Sequence, residues 1–433
     1  MNYSQKLFNK ASRIEVLGES LIFKTLSNGL KVLYKKVAHS HVAHCGLVIN
    51  AGSRDDDGYM GAAHCMEHML FKGTQKRKSF HILNRIDSVG GEINAYTTKE
   101  VTVLYSTVYE VFLDRAVELL FDVAYHSTFP VKELAKERKV IKDEIRMYED
   151  SPDDNIFDEF QELIFKDNPL AGNILGTEKS LDTITSKTLR DFTSVYYKPE
   201  NMVFVVVSDL PSEKIFRKIE KYALQPPLKS DNKSGFNPIR KKNQDFNVQT
   251  VIKETDHVQS YVVIGGQASQ SNSPDRLKET LLLNILGGPA LNSRLSLAIR
   301  EKYGFTYNIE AGTTHFTDTG FFHCFAGTDN AHHKKTIALI HKELEKLKNK
   351  KLGALQMHNA LNQFTGQIML AEENKLSSVI AMGRQWAQGE KVLTLREILE
   401  YVNSITAVQL LEVANRLFEK DKLSLLSYIP SKD

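Results

Sequence analysis

Hydrophobic and polar positions change period several times along this chain, and each change marks an element. In residues 60–70 the side chains Met60, Ala62, Ala63, Met66, Met69 and Leu70 are apolar on several faces, which predicts a buried helix. Leu134, Ile141, Ile145 and Tyr148 recur at helical spacing and predict the apolar stripe of an amphipathic helix. Lys136, Arg138, Lys139, Lys142 and Arg146 take its wet faces. Alternation over 101–109 predicts a strand, and 112–125 reads as a helix. Strands and helices do not simply alternate. That points to an α+β fold in which helices pack on a mainly antiparallel sheet.

The pattern also repeats. Residues 41–53 align with 257–269 at an offset of 216, each reading as a strand that ends in a small-residue turn. Residues 199–208 echo 420–427. Between the copies, 225–244 is rich in Pro, Lys, Ser, Asn and Gly and reads as an exposed linker. The predicted organisation is therefore a domain over 1–224, a linker over 225–244 and a homologous domain over 245–433. A length of 433 residues is enough for two cores of ordinary size.

Composition narrows the function classes. With 42% hydrophobic and 25% charged residues the chain reads as a soluble globular protein. Its net charge of +3, with lysines interleaved among acids, argues against nucleic acid and against an anionic membrane surface. Arg240-Lys241-Lys242 reads as solvated surface. Three scattered cysteines, Cys45, Cys65 and Cys324, fit a reducing compartment. No apolar run approaches membrane-spanning length, and residues 1–16 lack the hydrophobic core of a secretory signal, so a cytoplasmic location is expected.

The chemistry concentrates in His64-Cys65-Met66-Glu67-His68. On a helix the two histidines stack on one face with the carboxylate beside them. Composition alone would produce such a pentad in about one chain in twenty of this make-up, so its surroundings decide. A buried helix spends adjacent positions on ionisable groups only where they are paired or bind a metal. Two imidazoles to hold zinc, and a carboxylate to take a proton from water that zinc has acidified, are the side chains of a zinc hydrolase. Cys65 points away from the metal at that helical angle and reads as packing. A catalytic zinc usually takes three protein ligands. Glu144 is the best third candidate, on the apolar stripe of the 134–148 helix. Glu137 shares that stripe seven residues earlier, where a salt bridge to a lysine or arginine is the competing reading. At the 216-residue offset the pentad falls on Thr280-Leu281-Leu282-Leu283-Asn284, so the second copy keeps a buried helix and lacks the metal site.

The pentad, with a glutamate 76 residues after its second histidine and another seven before that, resembles the inverted-motif zinc peptidases of the pitrilysin and insulinase type. The phrases Glu67-His68-Met69-Leu70-Phe71-Lys72-Gly73-Thr74, Gly90-Gly91-Glu92-Ile93-Asn94-Ala95-Tyr96-Thr97 and Asp143-Glu144-Ile145-Arg146-Met147-Tyr148 fit it too, and the processing-peptidase branch looks nearest. The resemblance implies His64, His68 and Glu144 as ligands of one Zn2+ per chain and Glu67 as general base. Glu137 would support a ligand without touching the metal. It also implies two homologous sheet-and-helix domains over nearly the whole chain.

Arg300 and Tyr307 match the family's Arg/Tyr element, which binds substrate and stabilises the oxyanion. An arginine capping a helix and a tyrosine packing under a sheet is the plainer alternative. Pro289 and Ala290 replace the family's usual glycine and methionine in the preceding loop. Asn94 and Ala95 match a substrate-binding edge strand, although Gly-Gly-x-x-Asn can also make a turn. In the family the Arg/Tyr element comes from the opposite half of a closed shell. A two-domain chain is therefore expected to form a homodimer with shared sites, or a heterodimer with a paralogue. The expected activity is zinc-dependent endopeptidase action on peptides or unfolded segments inside a closed chamber. The rival readings are a non-catalytic subunit or assembly scaffold of the same fold, and a small-molecule lyase on a related zinc fold, which the length and duplication oppose.

Overall fold

Val203, Phe204, Val205, Val206 and Val207 form an unbroken apolar run. Such a run is stable as a strand only when both of its faces are covered. The computed structural model of the chain describes residues 12–16, 19–224, 240 and 246–431. In it this run is the centre of a seven-stranded sheet. The strands are β1 (Ser12–Val16), β2 (Glu19–Thr25), β3 (Lys31–Lys36), β4 (Val42–Ile49), β5 (Glu92–Thr97), β6 (Thr102–Tyr109) and β7 (Met202–Ser208), in the order β1-β2-β3-β7-β4-β6-β5. Only β3 and β7 run parallel. The second sheet has β8 (Thr250–Thr255), β9 (Ser260–Ala268), β10 (Thr306–His315), β11 (Gly320–Thr328) and β12 (Ser424–Pro430), in the order β10-β11-β9-β12-β8. Only β12 and β8 run parallel. The order β5-β6-β4-β7-β3 is thus repeated strand for strand, down to the position of the parallel pair. The fold is α+β with two homologous halves, each a mainly antiparallel sheet packed with helices.

The helices of the first half are α1 (Ala62–Leu70), α2 (Ser79–Asp87), α3 (Leu113–His126), α4 (Val131–Glu149), α5 (Pro152–Ile164), α6 (Glu178–Thr183), α7 (Ser186–Tyr196) and α8 (Ser212–Ala223). Those of the second are α9 (Arg276–Gly287), α10 (His333–Asn349), α11 (Ala354–Glu372), α12 (Lys375–Ala387), α13 (Leu395–Ser404) and α14 (Ala407–Leu417). Two details of the helix reading change. Met60 precedes α1 and is exposed, and Tyr148 lies near the end of α4 and is 39% exposed, beyond the stretch that Ile141 and Ile145 anchor. Among the described residues no helix is long and apolar enough to cross a membrane.

The two compact units are not the two contiguous domains that composition suggested. One comprises 1–145, 172–240 and 371–396; the other 146–171, 241–370 and 397–433. Of the expected linker only Arg240 falls among the described residues; the rest of 225–244 lies outside them. The reason for the exchange is sheet cover. One face of the first sheet packs on α1, α3, α7 and α8. Its other face presents Leu33, Val48, Val103, Val203 and Val205, and α12 covers it with Val379, Ile380, Met382 and Trp386. A Cβ on Gly383 would lie 2.5 Å from Val205 Cγ1, so α12 seats on the strand only because this residue is glycine. In the second unit α5 does the same service, with Ile156, Phe160 and Ile164 against Val263, Phe321, Phe325 and Leu426.

Trp386 is 3% exposed and meets Phe23 edge to face at 5.2 Å. Trp386→Ala is expected to cost about 3–5 kcal/mol of stability. Chemical denaturation checks this, and a loss well under ~1 kcal/mol would show that α12 does not hold the sheet's outer face.

Candidate metal centre

The site starts with how α1 begins. Gly61 precedes it at φ +88°, and a Cβ there would lie 2.7 Å from the Leu175 carbonyl oxygen. The first amides of the helix have no intrahelical acceptor. The Asp56 carboxylate takes two of them, from Gly61 N at 2.6 Å and Ala63 N at 2.8 Å. Ala62, Ala63, Met66, Met69 and Leu70 are fully buried, which fixes the rotation of the helix and carries His64 inward with them. Cys65 packs in this core, and burial pushes its thiol up to about 12.

α4 presents two acids to α1. His68 Nδ1 lies 3.2 Å from Glu137 Oε2, and Lys72 Nζ holds the other oxygen of Glu137 at 2.6 Å. Both readings of Glu137 therefore apply: it bonds a histidine and pairs with a lysine. In the neutral tautomer that donates Nδ1–H to Glu137, the lone pair of His68 Nε2 is free. That Nε2 lies 3.5 Å from Glu144 Oε2, and His64 Nε2 lies 3.9 Å from the same oxygen. The two imidazole centroids are 4.7 Å apart. Glu67, on the same helix, accepts a hydrogen bond from Thr97 Oγ1 at 2.6 Å.

Burial, helped by the neighbouring His68 and opposed by Glu144, lowers the pKa of His64 to about 4. His64 is neutral as a result. Burial works against a charged His68 as well, but bonds to Glu144 and Glu137 outweigh it and raise its pKa. The His68 bond, with charge from both histidines, holds the Glu144 carboxyl below its ordinary range. Glu67 is raised by burial, and the Thr97 bond offsets part of that.

The donor set fits a metal ion. One atom from each of His64, His68 and Glu144 lies within 4.8 Å of the others, and this is the one such group of three found among the described residues. Two imidazole nitrogens and a carboxylate oxygen converge there. Among the described residues His64 Nδ1 is buried without a hydrogen-bond partner. Nitrogen and oxygen donors in that ratio suit Zn2+.

The remaining expected residues lie elsewhere. Asn94 and Ala95 are on β5, the edge strand of the first sheet, which packs against α1. They point to opposite faces. Ala95 faces the core with Ile93, while Asn94 is exposed and its Oδ1 accepts from Ala95 N at 2.8 Å. Arg300 and Tyr307 belong to the other unit. Arg300 sits in a π-helical turn, and its guanidinium lies 5.3 Å from the centre of the Tyr307 ring, which is 90% exposed. Arg300 also lines a cavity of about 280 Å³ with Gly287, Pro289 and Glu310. Sequence reasoning missed Thr97, Lys72 and Asp56. Period-2 alternation puts Thr97 on the face of Ala95, a signal that was present, but nothing in one dimension shows that α1 crosses that face.

Two histidines and a glutamate brought together from two helices, in one half of a duplicated α+β fold, define a metallopeptidase scaffold. Comparison with known proteins makes the family specific. The profile of insulinase (peptidase family M16) matches residues 31–178, and that of the peptidase M16 inactive domain matches 183–364. The chain belongs to this family of zinc metallopeptidases. It is 30% identical over 407 residues to an uncharacterized zinc protease of Rickettsia bellii, covering 94% of this chain and 97% of that one. It is 27% identical over 418 residues to the beta subunit of the mitochondrial-processing peptidase of Saccharomyces cerevisiae, covering 93% and 89%. In fold it is similar to a protease from Helicobacter pylori, with a TM-score of 0.84 at 23% identity over 97% of this chain and 100% of the other. It is also similar to a peptidase M16 inactive-domain structure from Pseudomonas fluorescens, at 0.86 and 21% over 95% and 98%.

Glu137→Ala removes the acceptor that orients His68 and strands Lys72. Zinc affinity, read by chelator competition, is expected to fall by about 10–100-fold. Unchanged affinity would mean that Glu137 serves Lys72 alone.

Proposed function

We propose that this chain is a zinc-dependent endopeptidase acting on peptides or unfolded polypeptide segments. The convergence of His64, His68 and Glu144 beside the Thr97-bonded carboxylate of Glu67 carries this reading. In it those three residues hold one Zn2+ per chain. Bound there, zinc supplies a Lewis acid that polarises a peptide carbonyl and lowers the pKa of water.

Glu67 is the general base: its carboxylate takes a proton from the attacking water and passes it to the leaving amine. Thr97 aims it, and burial brings its proton affinity nearer to that of an acid-base catalyst. Glu137 fixes the ring of His68 and so the direction of its lone pair. An extended peptide adds to the open edge of β5 through backbone bonds, which read chain conformation more than sequence, with Asn94 and Ala95 on that strand. Arg300 and Tyr307 bind substrate and donate to the oxyanion. They act on the site of a second subunit in a cytoplasmic homodimer, or in a heterodimer with a paralogue, enclosing a chamber that selects by size. Relatives named zinc proteases and a processing-peptidase subunit support the class of reaction.

Glu67→Gln is expected to bind zinc as the wild type does and to lose about 10²–10⁴-fold in cleavage of a quenched peptide. A chelator should abolish wild-type turnover and added zinc restore it. Cleavage by Glu67→Gln at the wild-type rate would remove the assignment, and zinc binding without any cleavage by the wild type would favour a scaffold subunit. Mixed dimers of Arg300→Ala and Glu67→Gln subunits are expected to recover activity at one of their two sites. No recovery in verified heterodimers would rule out action in trans.

A further inference from the structure

The loop before α1 and the loop after β5 lie against each other. Ser53 N and Arg54 N donate to the carbonyls of Thr98 and Lys99, at 3.0 and 2.9 Å. A Cβ on Gly52 would fall 2.3 Å from the Thr98 oxygen, so the backbones touch only because that residue is glycine. Each loop leads directly into the site. The first ends in Asp56, which caps α1; the second follows Thr97, which bonds Glu67.

A cluster of buried charges binds the two loops. Arg54 donates to Glu100 Oε1 at 2.6 Å, both side chains being 1% exposed. Gln388 donates to the other oxygen of Glu100 at 3.1 Å, and Gly52 N donates to Asp55 Oδ2 at 2.9 Å. The second cation is Arg240, the last residue of the first unit before the chain passes into the other. Its guanidinium forks onto Asp55, Nε to Oδ1 at 2.8 Å and Nη2 to Oδ2 at 2.7 Å. Nη2 also reaches the carbonyl of Glu100 at 2.6 Å, so one side chain bonds both loops. A planar fork does this and an ammonium does not.

We infer that Arg240 is a positioning residue for the metal centre, clamping the loop that caps α1 to the loop that carries Thr97, so that zinc affinity depends on it. The inference rests on the zinc reading given above. Without the clamp, buried Asp55 loses the guanidinium forked onto it, and the loops relax apart to reach water. The cap on α1 loosens, and the lone pairs of His64 and His68 lose their common focus.

The test uses the full chain with Arg240→Ala, Arg240→Lys and, as a control for general destabilisation, Ile219→Ala in the core of the same unit. Zinc dissociation constants are measured by chelator competition, and hydrogen exchange follows the Gly61 and Ala63 amides. Arg240→Ala is expected to bind zinc about 10–100-fold more weakly, with Arg240→Lys between it and the wild type. Both amides should lose protection, while amides of β7 keep theirs. Free guanidinium at millimolar concentration should restore part of the affinity of Arg240→Ala. If that variant does not fold, Arg240→Lys carries the same comparison. Affinity within about twofold of wild type in the variants, or an equal loss in Ile219→Ala, overturns the inference while the zinc reading stands. Failure of the wild type itself to bind zinc overturns both.

Discussion

A helix that buries one imidazole and half-buries a second among methionines, leucines and alanines must be given partners for them, and the elements around α1 supply those partners. Ionisable groups inside a core cost free energy unless charge or hydrogen bonds answer them. α4 supplies Glu137 and Glu144, Lys72 closes the far side of Glu137, and Asp56 takes the amides at the start of α1. Those partners leave one grouping over: two imidazole nitrogens and a carboxylate oxygen from His64, His68 and Glu144, all within 4.8 Å of one another. That grouping has the composition of a site for a divalent cation, so burial of the helix and the chemistry at its surface draw on the same residues.

The second copy shows the same rule with different side chains. At the place of the pentad α9 buries Leu281, Leu282 and Leu283, which need nothing but contact. Its one buried acid, Glu279, is answered fully by the Ser269 hydroxyl at 2.6 Å and by Arg416 at 2.7 Å. The second copy therefore shares the topology and has no counterpart of the His64, Glu67 and His68 helix face. Its loop and π-helical turn hold Arg300 against Tyr307 instead.

Sheets with two apolar faces account for the exchanged helices. A run such as 203–207 leaves no face for water, so each sheet needs a second layer. That layer comes from the segment of chain that belongs, by sequence position, to the other copy: α12 for the first unit and α5 for the second. Removing either half of the gene product would thus strip a helix from the half that remains.

Much of this was legible in one dimension. Helical period placed α1 and α4, the 216-residue offset revealed the duplication, and His64, His68, Glu67 and Glu144 could be picked out because ionisable groups on apolar stripes are costly without a purpose. Glu137 stayed open between a salt bridge and support of a ligand, since spacing shows that two residues share a face and not what faces them. The assignment of α5 and α12 was invisible for the same reason: apolar runs say that a surface must be covered, and not by which helix. Sequence determined the elements, their buried faces and the donor types, because those follow from local periodicity and from the cost of burying charge. Only the tertiary structure decided that Thr97 reaches Glu67, that Lys72 takes Glu137 and that Arg240 closes the loops at α1, because each pairing joins segments whose approach is set by packing and leaves no mark in their spacing.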